Sequence, residues 1–255
     1  MTTPIAVVIL AAGKGTRMNN PHKAKVMFEL AARPMIEYVV HQAQSLAPER
    51  IIVVVGFQKE SVIAYLRARF PDYLEYAHQD QQLGTGHAVQ QAECLLQNFF
   101  GNVLILSGDV PLLRTETLQA FAAAHAASRA TASVLTVDAP NPAGYGRIIR
   151  AHNGEFEKIV EHKDANQEER AITEINSGIY LVRSSALFSA LREVSNNNAQ
   201  GEYYLTDIID ILRRRGESVH AWKCDAFLEV LGVNTLEQLA EAEDIVGRRL
   251  ISALV

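Results

Sequence analysis

Three short runs in this chain are apolar at every position: IAVVIL at Ile5–Leu10, IIVVV at Ile51–Val55 and VLIL at Val103–Leu106. A strand with one wet face alternates apolar and polar residues; a run without alternation has both faces covered. Amphipathic segments lie between these runs. Pro34 opens one, with Met35, Ile36, Val39, Val40, Ala43 and Leu46 at the spacing of one helical face. Val62, Ile63, Leu66 and Phe70 mark another, and Ala88, Val89, Ala92, Leu95 and Leu96 a third. Buried strands alternating with helices predict an α/β fold: a Rossmann-like, mostly parallel sheet flanked by helices on both faces. Ligands bind such sheets at the carboxyl ends of the strands. The segments after Leu10 and after Leu106 are therefore the first places to look.

The second half reads differently. Ser133–Val137, Arg147–Arg150, Phe156–Val160 and Gly178–Val182 look like strands, separated by the turn-rich 139–146 stretch and a polar loop at Lys163–Arg170. This pattern predicts a smaller mixed-sheet region that completes a site. A helix near Leu205–Arg215, two short strand candidates and a closing helix over Thr235–Leu250 follow.

Composition narrows the function classes. Among 255 residues, 48% are hydrophobic and 21% charged, a globular balance. With 24 basic and 29 acidic side chains the net charge is −5, which disfavours wholesale nucleic-acid or membrane-surface binding. The longest apolar run, Ile5 to Gly13, is far shorter than a bilayer requires, and no basic stretch precedes it as in a signal peptide. Cys94 and Cys224 form neither a disulfide framework nor a metal-ligand spacing. A soluble, reducing, cytoplasmic setting is expected.

LAAGKGTRM (10–18) follows the first strand. Two glycines at i and i+2 let the backbone approach a ligand closely, and successive N–H groups there can cradle an anion. The first 28 residues contain Lys14, Arg17, Lys23 and Lys25 and no acid. In an acidic chain, that local excess suits a polyanion such as a triphosphate. The string is neither a P-loop nor a dinucleotide fingerprint, whose third glycine position holds Met18. Asp109 ends the third apolar run, either as an oxygen ligand for a hard cation or as a turn residue capping a following helix. Asn234 can be read as a ligand or as the N-cap of the last helix, and Gln79 as a base reader or as a solvated loop residue.

LAAGKGTRM with a lysine shortly after it resembles the sugar-1-phosphate nucleotidyltransferases. The likeness is to the uridyltransferase halves of the bacterial bifunctional uridyltransferase/acetyltransferases. QQLGTGHAVQQA (81–92), GDVPLL (108–113), GYGRI (144–148), IVEHKDA (159–165), EINSGIYL (174–181), NNNAQGEYYLTDII (196–209) and EVLGVN (229–234) fit the same pattern in order, across nearly the whole chain. The resemblance implies Mg²⁺-dependent uridylyl transfer from UTP to N-acetylglucosamine 1-phosphate, with pyrophosphate as the other product. It implies Arg17 and Lys25 as catalytic cations. Leu10, Ala11, Ala12, Gly13, Gln79, Gly84 and Thr85 would bind the nucleotide. Gly108, Gly146, Glu161, Asn176 and Asn234 would bind the sugar, and Asp109 with Asn234 the Mg²⁺. UTP and the sugar 1-phosphate are then the partners, with no nucleic acid and no membrane. One transferase domain is expected, divided into a nucleotide-binding part (1–112), a sugar-binding part (113–232) and a C-terminal helix (233–255). His87 carries no assigned chemistry, and His162 lacks spaced ligand partners.

Departures leave three points open. Ala24 stands where the family usually has proline, and the spacing from the glycine turn is one residue longer, so Lys23 competes with Lys25 for the phosphates. Ser107 replaces a common aromatic before the Gly-Asp pair, which bears on the sugar. The hexapeptide repeats of the acetyltransferase half do not occur. No acetyl transfer is therefore expected, and trimerisation is not assumed. The alternatives are a transferase for another base or sugar, or a non-catalytic nucleotide-sugar-binding subunit. Ala11–Ala12 lacks the paired glycines typical of thymidylyltransferases, and the presence of Arg17 and Asp109 weighs against a silent subunit.

Overall fold

A computed structural model of the chain describes residues 3–18 and 20–252, with side chains through residue 249. In chain order the strands are β1 (Ile5–Ala11), β2 (Glu29–Leu30), β3 (Arg33–Pro34), β4 (Arg50–Val55), β5 (Glu75–His78), β6 (Asn102–Ser107), β7 (Ala132–Asp138), β8 (Arg147–Arg150), β9 (Phe156–Val160), β10 (Glu174–Arg183) and β11 (Val219–Cys224). The α-helices are α1 (Met35–Gln44), α2 (Lys59–Arg69), α3 (Thr85–Gln90), α4 (Glu93–Leu96), α5 (Thr115–Ser128), α6 (Gln167–Ala171), α7 (Ser184–Leu191), α8 (Asp207–Arg214) and α9 (Leu236–Ser252).

The fully apolar runs form the centre of one sheet, ordered β11-β7-β10-β6-β1-β4-β5. β6, β1, β4 and β5 run parallel. β10 is antiparallel to both β6 and β7, and β11 runs parallel to β7. Alternate residues of each central strand face opposite layers. Ala6, Val8, Ile52, Val54 and Ile105 pack against α3, α4, α7 and α8. Val7, Ile9, Val53, Leu104 and Leu106 pack against α1, α2 and α5. Both faces are covered, which is why these runs do not alternate.

The expected mixed region is continuous with the parallel sheet: β7, β10 and β11 extend it beyond β6. Only the β8–β9 hairpin leaves the main path, pairing through β8 with the start of β10. A register shift between Asn176 and Tyr180 bends β10 there.

Several local expectations need correction. The helix expected through Ala88–Leu96 is two short ones, α3 and α4, separated at Gln91–Ala92. The two strands expected after α8 are β11 followed by a 3₁₀ turn at Phe227–Val230. The polar Lys163–Arg170 loop contains α6, started by a reciprocal Asn166/Glu169 capping box. β5, α5 and α7 had no sequence reading. α5 is alanine-rich and buries Leu118, Phe121 and His125, too sparse an apolar stripe to stand out. The closing helix is α9, whose Ala242 and Val246 pack with Leu30, Met35, Leu112 and Val233.

Candidate active site

A cleft of about 270 Å³ opens at the carboxyl ends of the central strands, where the topology predicts ligand binding. Leu10, Ala11, Ala12 and Gly13 line it together with Gln79, Gly84, Thr85, Lys25, Ser107 and Asp109. A larger cavity of about 850 Å³, bordered by Phe99, His125 and Arg183, is lined by none of the candidate site residues.

The glycine turn delivers two cations to the cleft. Gly15 has φ +62°, and a Cβ there would stand 2.5 Å from the Lys25 Cβ, so both conformation and space demand glycine. The 3₁₀ turn at Thr16–Met18 buries Met18 and leaves Arg17 exposed, its Nη2 donating to Asn234 Oδ1 at 2.9 Å. Lys25 Nζ pairs with Asp109 Oδ2 and donates to Asn234 Oδ1 at 3.0 Å. Four residues drawn from three distant segments therefore meet through one another. Lys23 lies apart, 3.7 Å from Glu29 and over the Phe28 ring. Ala24 has φ −60° and ψ 140°, the conformation proline would impose, so the alanine keeps the same path into Lys25.

The capping alternatives for Asp109 and Asn234 do not hold. Thr235 Oγ1 accepts from the Gln238 backbone N–H at 3.2 Å and so caps α9. Asn234 is thereby released: its Oδ1 faces the two cations while its Nδ2 donates to the Gly232 carbonyl at 3.1 Å. The Val233 N–H donates to the Asp109 carbonyl at 2.8 Å and locks this segment onto the end of β6. Gly108 sits just behind, within 2.9 Å of the Leu10 carbonyl and against Val26 and Ile36 when given a Cβ, and it does not line the cleft. Burial pushes the Tyr145 hydroxyl pKa up, with the Asp109 charge adding and the Gly232 backbone N–H and Arg17 opposing. Tyr145, within GYGRI, thus belongs to this corner, a placement that no local pattern marks.

On the base side, Gln79 is 4% exposed, and its Nε2 donates to the Gly84 carbonyl at 3.0 Å. It is a buried side chain, not a solvated loop residue. The Tyr203 N–H donates to Leu83 and the Tyr203 carbonyl accepts from Gly86, both at 2.8 Å. This clamp presses on Gly84, where a Cβ would stand 2.6 Å from the Tyr203 oxygen. Thr85 Oγ1 accepts from the Leu205 N–H at 3.1 Å.

Of the five residues expected at the sugar, Gly146, Glu161 and Asn176 come together, whereas Asn234 stands with the cations and Gly108 behind the cleft. A Cβ on Gly146 would lie 3.5 Å from the Asn176 Cβ and 3.6 Å from Glu161 Oε1. Asn176 Nδ2 donates to the Tyr180 hydroxyl at 2.6 Å, and its Oδ1 accepts from the Gly178 N–H at 3.0 Å. Thr206 Oγ1 donates to Glu161 Oε1 at 3.1 Å. Burial raises the Glu161 pKa, the Thr206 bond opposes it, and Asp207, Asp164 and Glu202 raise it further. Residues 202–206 therefore run from the Gly84 clamp to the Glu161 carboxylate. Their motif was visible in the sequence, but it carried no residue-level reading.

Asp109 and Asn234 each present an oxygen to one ammonium group, the donor type a hard divalent cation takes. Among the described residues no group of three or more His, Cys, Asp or Glu could hold a metal. A cation at this place would need further oxygens from phosphates or water, as Mg²⁺ commonly does. The residues present fit that group.

Comparison with known proteins agrees with this geometry. Residues 6–227 match the nucleotidyl transferase family. The bifunctional protein GlmU of Geobacillus sp. (strain WCH70) is 51% identical over 95% of this chain and 52% of its own length. That of Halalkalibacterium halodurans is 47% identical over 96% of this chain and 53% of its own. The chain spans about half the length of the curated relatives it matches. A UDP-glucose pyrophosphorylase solved with UDP-glucose superposes with a TM-score of 0.76 at 20% identity, covering 98% of this chain and 100% of that one. No described helix is long and apolar enough to cross a membrane. The chain belongs to the nucleotidyl transferase family and is a nucleotidyltransferase.

Proposed function

We propose that the chain transfers the uridylyl group of UTP to N-acetyl-α-D-glucosamine 1-phosphate, giving UDP-N-acetylglucosamine and pyrophosphate. The observation that carries this reading is the meeting of Arg17, Lys25, Asp109 and Asn234 at the mouth of the nucleotide cleft. Half-identical relatives named GlmU support it.

The sugar-phosphate oxygen forms a bond to the α-phosphorus while the α–β bridging bond breaks in line and pyrophosphate leaves. Such transfer depends on positioning and charge stabilisation more than on a covalent nucleophile. The guanidinium of Arg17 offers a planar fork to the phosphate oxygens. Lys25 leaves Asp109 and turns its ammonium to the same phosphates. Asp109 and Asn234 would hold Mg²⁺, which supplies charge neutralisation on the phosphates. A phosphate monoester, with second pKa about 6, is already ionised near neutral pH, so no side chain needs to act as base. Gln79 and Gly84 read the uracil, with Thr85 towards the sugar side. Leu10–Gly13 supply backbone contacts to the nucleoside. Gly146, Glu161 and Asn176 bind the hexosamine, with Gly108 behind the phosphate corner. In this division residues 1–112 serve the nucleotide, 113–232 the sugar, and 233–255 close the site through Asn234 and α9.

The test is the fate of label. With UTP labelled at the α-phosphate, label enters the sugar nucleotide; with UTP labelled at the γ-phosphate, it leaves as pyrophosphate. Label from the γ-position in the sugar product would mean phosphoryl transfer and would overturn the reading.

A further inference from the structure

We propose that His87 is a positioning residue. It fixes the Gln79 side-chain amide with its oxygen towards the nucleotide cleft, so that the site accepts a pyrimidine carrying an N3–H and turns away cytosine. This rests on the proposed role of Gln79 at the base.

A primary amide has two N–H donors and one oxygen acceptor. Gln79 Nε2 donates one proton to the Gly84 carbonyl at 3.0 Å and lies 3.1 Å from His87 Nδ1. With both protons committed, the amide cannot turn over without losing both bonds. Its Oε1 has no partner among the described residues, and Gln79 lines the cleft. Uracil offers a donor at N3; cytosine offers a lone pair there. An oxygen facing that lone pair leaves two acceptors opposed, the mismatch by which a polar site rejects an analogue.

His87 reinforces the orientation that the Gly84 carbonyl sets. Its two ring nitrogens face two amide nitrogens, Gln79 Nε2 at Nδ1 and Gln91 Nε2 at Nε2, the latter at 3.2 Å. A neutral imidazole accepts at one nitrogen only. Gln79 is buried, whereas Gln91 is half-buried and already donates to the His87 carbonyl at 2.9 Å. An unmade bond costs more at the buried group. The ring lone pair therefore goes to Gln79, and Nε2 carries the proton. Tyr203 holds the ring, its centroid 6.4 Å from that of His87. The clamp across Gly84 and the amide lock are thus one assembly.

The experiment compares kcat/KM for UTP and CTP in the full chain, with N-acetylglucosamine 1-phosphate and Mg²⁺. His87→Ala leaves the amide held by the Gly84 carbonyl alone, and the UTP-to-CTP preference is expected to fall by roughly tenfold. His87→Asn, whose side-chain oxygen can accept in place of Nδ1, is expected to restore most of it. An unchanged preference in a folded His87→Ala protein would overturn the proposal. The nitrogen NMR spectrum of histidine-labelled wild-type protein tests the same claim without a variant: His87 should be protonated at Nε2 and bare at Nδ1. The opposite tautomer would overturn the lock even if His87→Ala does not fold. Failure of the wild type to use UTP would count against the proposed activity, leaving the lock to the histidine spectrum alone.

Discussion

The site has two corners that treat charge in opposite ways. In the phosphate corner, Lys25 pairs with Asp109 while Arg17 donates to the neutral Asn234 amide, so the cluster carries one more positive charge than negative. In the sugar corner, Glu161 and Asp207 have no basic partner among the described residues, and burial raises the pKa of each, that of Asp207 to about 6. The first arrangement is one that incoming phosphates and a cation can exchange into, group for group. The second suits hydroxyl donors, which satisfy a carboxylate without bringing a charge. A transferase that joins a polyanion to a sugar needs both kinds of surface side by side.

The largest effects should fall on the phosphate corner. Asp109→Ala and Lys25→Ala are each expected to lower kcat by roughly 100-fold or more, since preorganised charge contacts act on the transition state. Lys23→Ala, at an exposed pair with Glu29, should stay within about twofold of the parent. Equal, mild effects of the two lysine variants in steady-state assays would remove the distinction drawn from the geometry.

A smaller and different effect is expected from the sugar corner. Thr206→Val removes the donor to Glu161. It should raise KM for the sugar phosphate by roughly five- to tenfold while leaving KM for UTP almost unchanged. A matching rise for both substrates would mean that the two corners are not separable.

The smallest effect is on stability. The Asp207 carboxyl is raised from 3.8 to about 6 by burial first, then by Asp210 and Asp164. The folded state therefore holds its proton where the unfolded state has lost it. Its contribution is full below the unfolded value and is lost as pH rises through about 6. Asp207→Asn removes that slope, so its melting temperature should gain on the parent by roughly 5 °C between about pH 4 and pH 7. A gap that stays constant with pH would contradict the shift.

How much was legible follows from how local each feature is. The central strands, α1 and α2 were readable because burial on both faces or on one stripe writes itself into contiguous residues. The glycine turn was readable for the same reason. The choice between Lys23 and Lys25 was not, since both flank Ala24 and only the fold shows which faces Asp109. Asn234 before Thr235 looked like a helix cap. The neighbour takes that work, a one-residue difference that hydrogen-bond geometry alone decides. β7 and β10 read as a separate region because a turn-rich stretch and a polar loop interrupt that half of the chain, yet the hydrogen bonds continue the same sheet. Gly146, Glu161 and Asn176, three of the five residues expected at the sugar, and Thr206 beside them are spread along the chain, and no short window contains them. The first three were reached through family resemblance, and the fourth only through its bond to Glu161.

The measurement that tests the central claim most directly is pyrophosphate release across a matrix of UTP, dTTP, CTP, ATP and GTP. These are crossed with the 1-phosphates of N-acetylglucosamine, glucosamine, N-acetylgalactosamine and glucose, with and without Mg²⁺. A single maximum is expected at UTP with N-acetylglucosamine 1-phosphate, present only with Mg²⁺. A maximum at another base or sugar, or release of equal rate without the cation, would contradict it.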